Sequence, residues 1–167
     1  LLQARIEMKS GQSPAAFVTL NALKRELLER NASPQLRARV DDVHASFLES
    51  AGQWGQAAKI HRQTVLDKQR APAMRARSAL NAVRLYQQAD KFELAREILR
   101  EVEADSDLKE LHATSYCLHG ELELISSGNP SAAQGFFKKA ISASNSDALS
   151  ARALFGVGRC LMAAGNA

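Results

Sequence analysis

The sequence predicts an all-α protein made of stacked antiparallel helical hairpins, about four of them followed by a final single helix. A helix-forming composition, a repeat of about 38 residues and helix punctuation in phase with that repeat together predict it. Leu, Ala, Arg, Glu and Gln crowd the chain. All are good helix formers, while Val, Ile, Thr and the aromatics are sparse and never alternate as a half-buried strand requires.

The repeat is direct. Pro34-Gln35-Leu36-Arg37-Ala38-Arg39 returns 38 residues later as Pro72-Ala73-Met74-Arg75-Ala76-Arg77. Helix breaks at Gly11, Gly52, Asp90, Gly128 and Gly165 are separated by 41, 38, 38 and 37 residues. Five residues after each of the first four comes an alanine: Ala16, Ala57, Ala95 and Ala133. A small residue there lets two helices approach while larger neighbours fill the space beside it.

The expected elements follow in order. A helix near 1–10 runs to the break at Gly11. The helix near 14–30 starts at Ser13-Pro14 and carries Ala16, Leu20 and Leu23. Ser33-Pro34 opens 34–50, with a stripe of Leu36, Val40, Phe47 and Leu48. Beyond Gly52, 54–69 carries Ala57, Ile60 and Val65. Pro72 opens 72–89, striped by Ala79, Ala82, Val83 and Tyr86, and beyond Asp90 comes 92–104 with Ala95, Ile98 and Leu99. A helix over 107–126 ends before Gly128. Asn129-Pro130 opens 130–143, with Ala133, Phe136 and Phe137, and 147–164 carries Leu154, Val157, Gly158 and Leu161 up to Gly165. Each proline lies in a first turn, where its missing N–H is no loss, and Ser13, Ser33 and Asn129 are good N-caps. Glycines just past a helix end accept the left-handed backbone that stops it. The hairpins are thus 1–30, 34–69, 72–104 and 107–143, with a last helix 147–164, all within one repeat domain over 1–167. Such stripes need neighbouring hairpins to cover them, so the array should be a solenoid.

These features resemble the tetratricopeptide repeat. Leu154, Val157 and Gly158 stand as its large-small group in a first helix, and Gly52, Trp54 and Ala57 cross a turn as its members do. Ala133, Phe137 and Ala140 match a second helix, and Tyr86, Phe92 and Ala95 match around another turn. The period exceeds the family's 34, so the chain reads as a divergent, long-repeat member with no subfamily assigned. The resemblance implies a right-handed α-solenoid that binds proteins. In the family's chaperone-tail clamp, Asn81 and His119 would fall at matching places, but Asp42 and Ser46 stand where a Lys and an Asn belong.

Little here suggests chemistry. No Gly-x-Gly-x-x-Gly, Walker loop, nucleophile elbow or His-Glu-x-x-His run is present, so no enzyme and no cofactor is expected. His44 and His61, on the two helices of one hairpin, should face each other across it, yet a metal would need further ligands there. His112 and His119, seven apart, do not match ligand spacing and read as surface or packing residues. No metal is expected. Cys117 and Cys160 form no framework and read as buried small groups in a reducing, cytoplasmic compartment. No apolar run approaches the ~20 residues of a membrane helix. The chain ends where another helix is due and is read as part of a longer protein.

The function-bearing surface is expected on the first helix of each hairpin, which should line a concave groove. Its polar positions are Arg5, Lys9, Arg39, Asp42, Ser46, Glu49, Arg77, Asn81, Arg84, Gln87, Gln88, Arg152 and Arg159. Glu and Lys concentrate instead on second helices, as with Lys24, Arg25, Glu26 and Glu29. Arginine forks suit carboxylates, so the expected function is a scaffold gripping an extended or helical acidic segment of a partner protein. Nucleic acid is disfavoured, because Phe155 is the lone aromatic near the groove for stacking. Exposed terminal hairpins would permit a homo-oligomer. The alternative is a sensor or regulatory domain of a larger enzyme, transcription regulator or membrane-associated assembly factor.

Overall fold

A computed structural model describes residues 1–9 and 13–165, and all their regular structure is helical. The helices are α1 (Leu2–Lys9), α2 (Ser13–Glu29), α3 (Pro34–Ser50), α4 (Trp54–Leu66), α5 (Pro72–Gln88), α6 (Phe92–Glu103), α7 (His112–Leu122), α8 (Pro130–Ala143) and α9 (Asp147–Ala163). The break expected at Gly11 lies outside the described residues, as do the side chains of Ser13, Arg5 and Lys9.

The punctuation acts as local sterics demand. Ser33, Asn129 and Ser146 each accept a backbone N–H of the first turn, from Leu36, Ala132 and Leu149. Gly52, Gly128 and Gly165 take φ of +71°, +58° and +73°, and Asp90 does the same glycine-like work at +54°. Asn31, not foreseen as a break, also takes a positive φ, of 49°.

Two elements differ from expectation. Helix α4 ends at Leu66 rather than near 69, because Asp67 turns extended. Its Oδ1 accepts the N–H of Gln69 and its Oδ2 that of Arg70 Nε, an Asx-type turn that competes with helix. The expected helix 107–126 is three pieces: a 3₁₀ stretch Ser106–Leu111 kinked at Leu108, then α7, then a π turn Glu123–Ser127. Ser126 and Ser127 donate back to the carbonyls of Leu122 and Glu123, side-chain bonds of a kind that loosens the last turn of a helix.

The chain forms two compact units, Leu1–Ala89 and Asp90–Ala167, so the division falls inside the segment expected as the third hairpin, 72–104. In the first unit each helix from α1 to α5 packs on the next. Its core holds Ala16, Leu20, Val40, Phe47, Leu48, Ala57, Val65, Ala82 and Tyr86. In the second, α6 packs on α7, α7 on α8, and α8 and α7 both on α9, burying Ala95, Ile98, Leu99, Ala133 and Phe137. All four close-approach alanines are fully buried. Cys117 and Cys160 are buried free thiols whose pKa burial pushes up.

The second unit corrects the choice of small residue in α9. Phe137 lies over Gly156 and Gly120, where a Cβ would come within 2.5 and 2.9 Å of its ring. Gly158, which the family resemblance selects, has open space instead. The apolar stripe through Leu154 and Leu161 is also turned outward, with Leu154 58% exposed, while Ala153, Gly156 and Cys160 form the packed face.

Candidate functional site

In the first unit, α3 and α5 are tied side by side by their polar faces. Arg77 Nη2 donates to Asp42 Oδ2 at 2.6 Å, and Arg84 Nη2 donates to Glu49 Oε1 at 2.7 Å. Asp42 and Glu49 are two turns apart on α3, as Arg77 and Arg84 are on α5, so the two pairs repeat along the face about 10 Å apart. Arg84 Nη1 also donates to Gln88 Oε1 at 3.2 Å. Arg39 is exposed on the same helix as Asp42, Asn81 is half-buried on α5, and the Ser46 hydroxyl is turned onto the Asp42 carbonyl.

His61 on α4 is buried and within the field of all four charged groups. Burial lowers its pKa most. Asp42 and Glu49 push it up, Arg77 and Arg84 push it down, and the net shift is downward. His44 is buried as well but has different charged neighbours. Its ring meets Phe17 edge-on at 5.9 Å and feels Lys24 and Asp41. Consecutive residues of α3 diverge by about 100°, so Asp41 and Asp42 serve different surfaces, and the two histidines report on them separately.

The first unit thus holds nine of the eleven principal expected groove positions, Arg5, Lys9, Arg39, Asp42, Glu49, Arg77, Asn81, Arg84 and Gln88, and among the seven whose side chains are described it brings four into ion pairs. Arg152 and Arg159 belong to the second unit. There Arg152 of α9 grips Glu121 of α7 through Nε and Nη2, both at 2.7 Å, and that pairing raises its pKa. Arg159 is exposed. Carboxylate neutralisation of these arginines is what the sequence did not disclose. Its faint signal is the shared two-turn spacing of Asp42 with Glu49 and Arg77 with Arg84.

His119 is not available to a ligand as the clamp comparison would require. It is buried, its Nδ1 lies 3.1 Å from Glu103 Oε1, and its ring stacks on Phe136 at 4.0 Å. A carboxylate only accepts, so Nδ1 carries a proton there. Lys24 is likewise no simple surface charge, since its Nζ meets Asp41 at 3.1 Å.

No family model and no curated protein matches the chain. Among solved structures it is similar to BtubC (BKLC) from P. vanneervenii, with a TM-score of 0.62 and 20% identity over 98% of this chain and 70% of that one. At this identity the likeness is one of fold.

Proposed function

We propose that the chain is a tetratricopeptide-like binding scaffold whose α3/α5 face receives a segment of a partner protein bearing paired carboxylates. The observation that carries this reading is the double Arg77–Asp42 and Arg84–Glu49 pairing on an exposed surface. With side chains 62% and 44% exposed, Arg77 and Asp42 form a pair of the class worth only about 0–1 kcal/mol. Such pairs hold two guanidinium forks extended at fixed spacing without committing them strongly. A partner carboxylate entering each fork exchanges a weak solvent-screened contact for one shielded by the partner's own body. Forks about 10 Å apart suit glutamates seven residues apart on one face of a helix; on an extended strand only even spacings share a face, so glutamates two or four apart, about 7 or 13 Å, bracket that distance. Arg39 adds a positive charge on the same helix as Asp42 and Glu49.

Fluorescence anisotropy with a panel of synthetic peptides carrying two glutamates at these spacings tests the reading. Binding should fall when Arg77 and Arg84 become Lys, which keeps charge but not the fork. Asp42→Asn with Glu49→Gln should strengthen it, because the competitors are gone. Equal binding by all three proteins would overturn the proposal.

A further inference from the structure

A cavity of about 370 Å³ lies among α2, α3, α4 and the turn after α4, on residues the α3/α5 face does not use. Three cations line it, Lys24, Arg37 and Arg70, together with two carboxylates, Asp41 and Asp67. The carboxylates are taken. Asp41 is bridged by Lys24 Nζ at 3.1 Å and Arg70 Nη2 at 3.2 Å, and Asp67 Oδ2 accepts from Arg70 Nε at 3.0 Å. Burial opposes ionisation of Asp67, but hydrogen bonds from Arg70 and from the Gln69 N–H, with the charges of Arg70 and Arg37, outweigh it and lower its pKa. The turn that ended α4 early is therefore also one wall of the cavity.

Arg37 is left over. Its Nε is buried and has no hydrogen-bond partner among the described residues. A buried donor left unmade is costly, and native proteins rarely keep one without a use. Three cations against two carboxylates leave one positive charge, beside the apolar side chains of Leu27 and Val40. We infer that this cavity binds a small organic monoanion, a carboxylate with a short apolar body, whose carboxylate accepts from Arg37 while its body rests on Leu27 and Val40. A phosphate dianion fits less well, because it would leave an excess negative charge in a partly enclosed site. The volume exceeds many times the ~30 Å³ share of one water, within the range of small-molecule pockets.

Hexanoate is the probe, with hexanamide as its neutral match and inorganic phosphate as the dianion. The Nε–Hε resonance of Arg37, assigned from Arg37→Met, should shift saturably with hexanoate and stay put with hexanamide. Arg37→Met should weaken hexanoate binding by calorimetry about tenfold or more, whereas Arg100→Met, an exposed charge in the other unit, should not. Circular dichroism checks that Arg37→Met keeps its helix, the long apolar stem being retained. No saturable shift up to ~10 mM, well short of even millimolar affinity, would sink the inference. So would an equal response to hexanamide, a stronger response to phosphate, or undiminished binding by Arg37→Met.

Discussion

Arg77 of α5 reaches 35 residues back along the chain to donate to Asp42 of α3, while Arg75, two residues before it, points into the core. Arg75 is 2% exposed, and its Nε donates to the Val65 carbonyl at 2.8 Å, near the C-terminal end of α4. A cation there satisfies one of the last carbonyls of that helix and opposes its dipole. Helical phase alone separates the two arginines, since positions two apart lie on roughly opposite sides.

Their substitutions should differ accordingly. Asp42→Asn should change unfolding free energy by less than about 1 kcal/mol in urea titration, as exposed pairs do. Arg75→Met keeps most of the apolar stem but strands the Val65 carbonyl, and should cost about 1–3 kcal/mol. Equal effects would mean that burial does not distinguish the two sites.

Two glycines of α9 make the opposite pair of tests. At Gly156 a Cβ meets the Phe137 ring at 2.5 Å, so the ~1–3 kcal/mol of overpacking outweighs the ~1 kcal/mol helix gain of alanine. Gly156→Ala should lower the melting temperature. Gly158→Ala meets nothing within 4 Å and should raise it, the helix gain standing alone. Differential scanning calorimetry on the two variants would decide, and a stabilised Gly156→Ala would refute the Phe137 contact.

Acid should loosen the first unit through its histidines. Burial holds His44 and His61 below the ordinary value of 6.5. Below pH 6.5 the unfolded chain therefore takes up protons that the folded one resists, and stability falls with pH. It is complete above 6.5 and lost progressively as pH drops toward the folded values. Neither His44 ring nitrogen has a hydrogen-bond partner among the described residues, so His44→Phe should flatten the slope between pH 6.5 and 5 in urea titrations. A slope unchanged in both His44→Phe and His61→Phe would assign the acid response elsewhere.

What the sequence determined by itself is the path of the backbone. Pro34, Pro72 and Pro130 start helices and Gly52, Asp90 and Gly128 end them, because sterics and hydrogen bonds within a few residues govern these choices, and Ala16, Ala57, Ala95 and Ala133 mark close approaches because their repeat spacing shows where a small side chain recurs. Local chemistry also ended α4 early at Asp67, although the apolar pattern alone suggested a longer helix. The tertiary structure decided which charges meet. That Arg77 finds Asp42, that Arg75 is swallowed, that Lys24 serves Asp41 and that Gly156 rather than Gly158 admits Phe137 all depend on how distant helices are turned about their axes. A turn of one residue, about 100°, exchanges buried for exposed. Repeat spacing places the helices in order, and only their packed rotation selects the face each arginine presents.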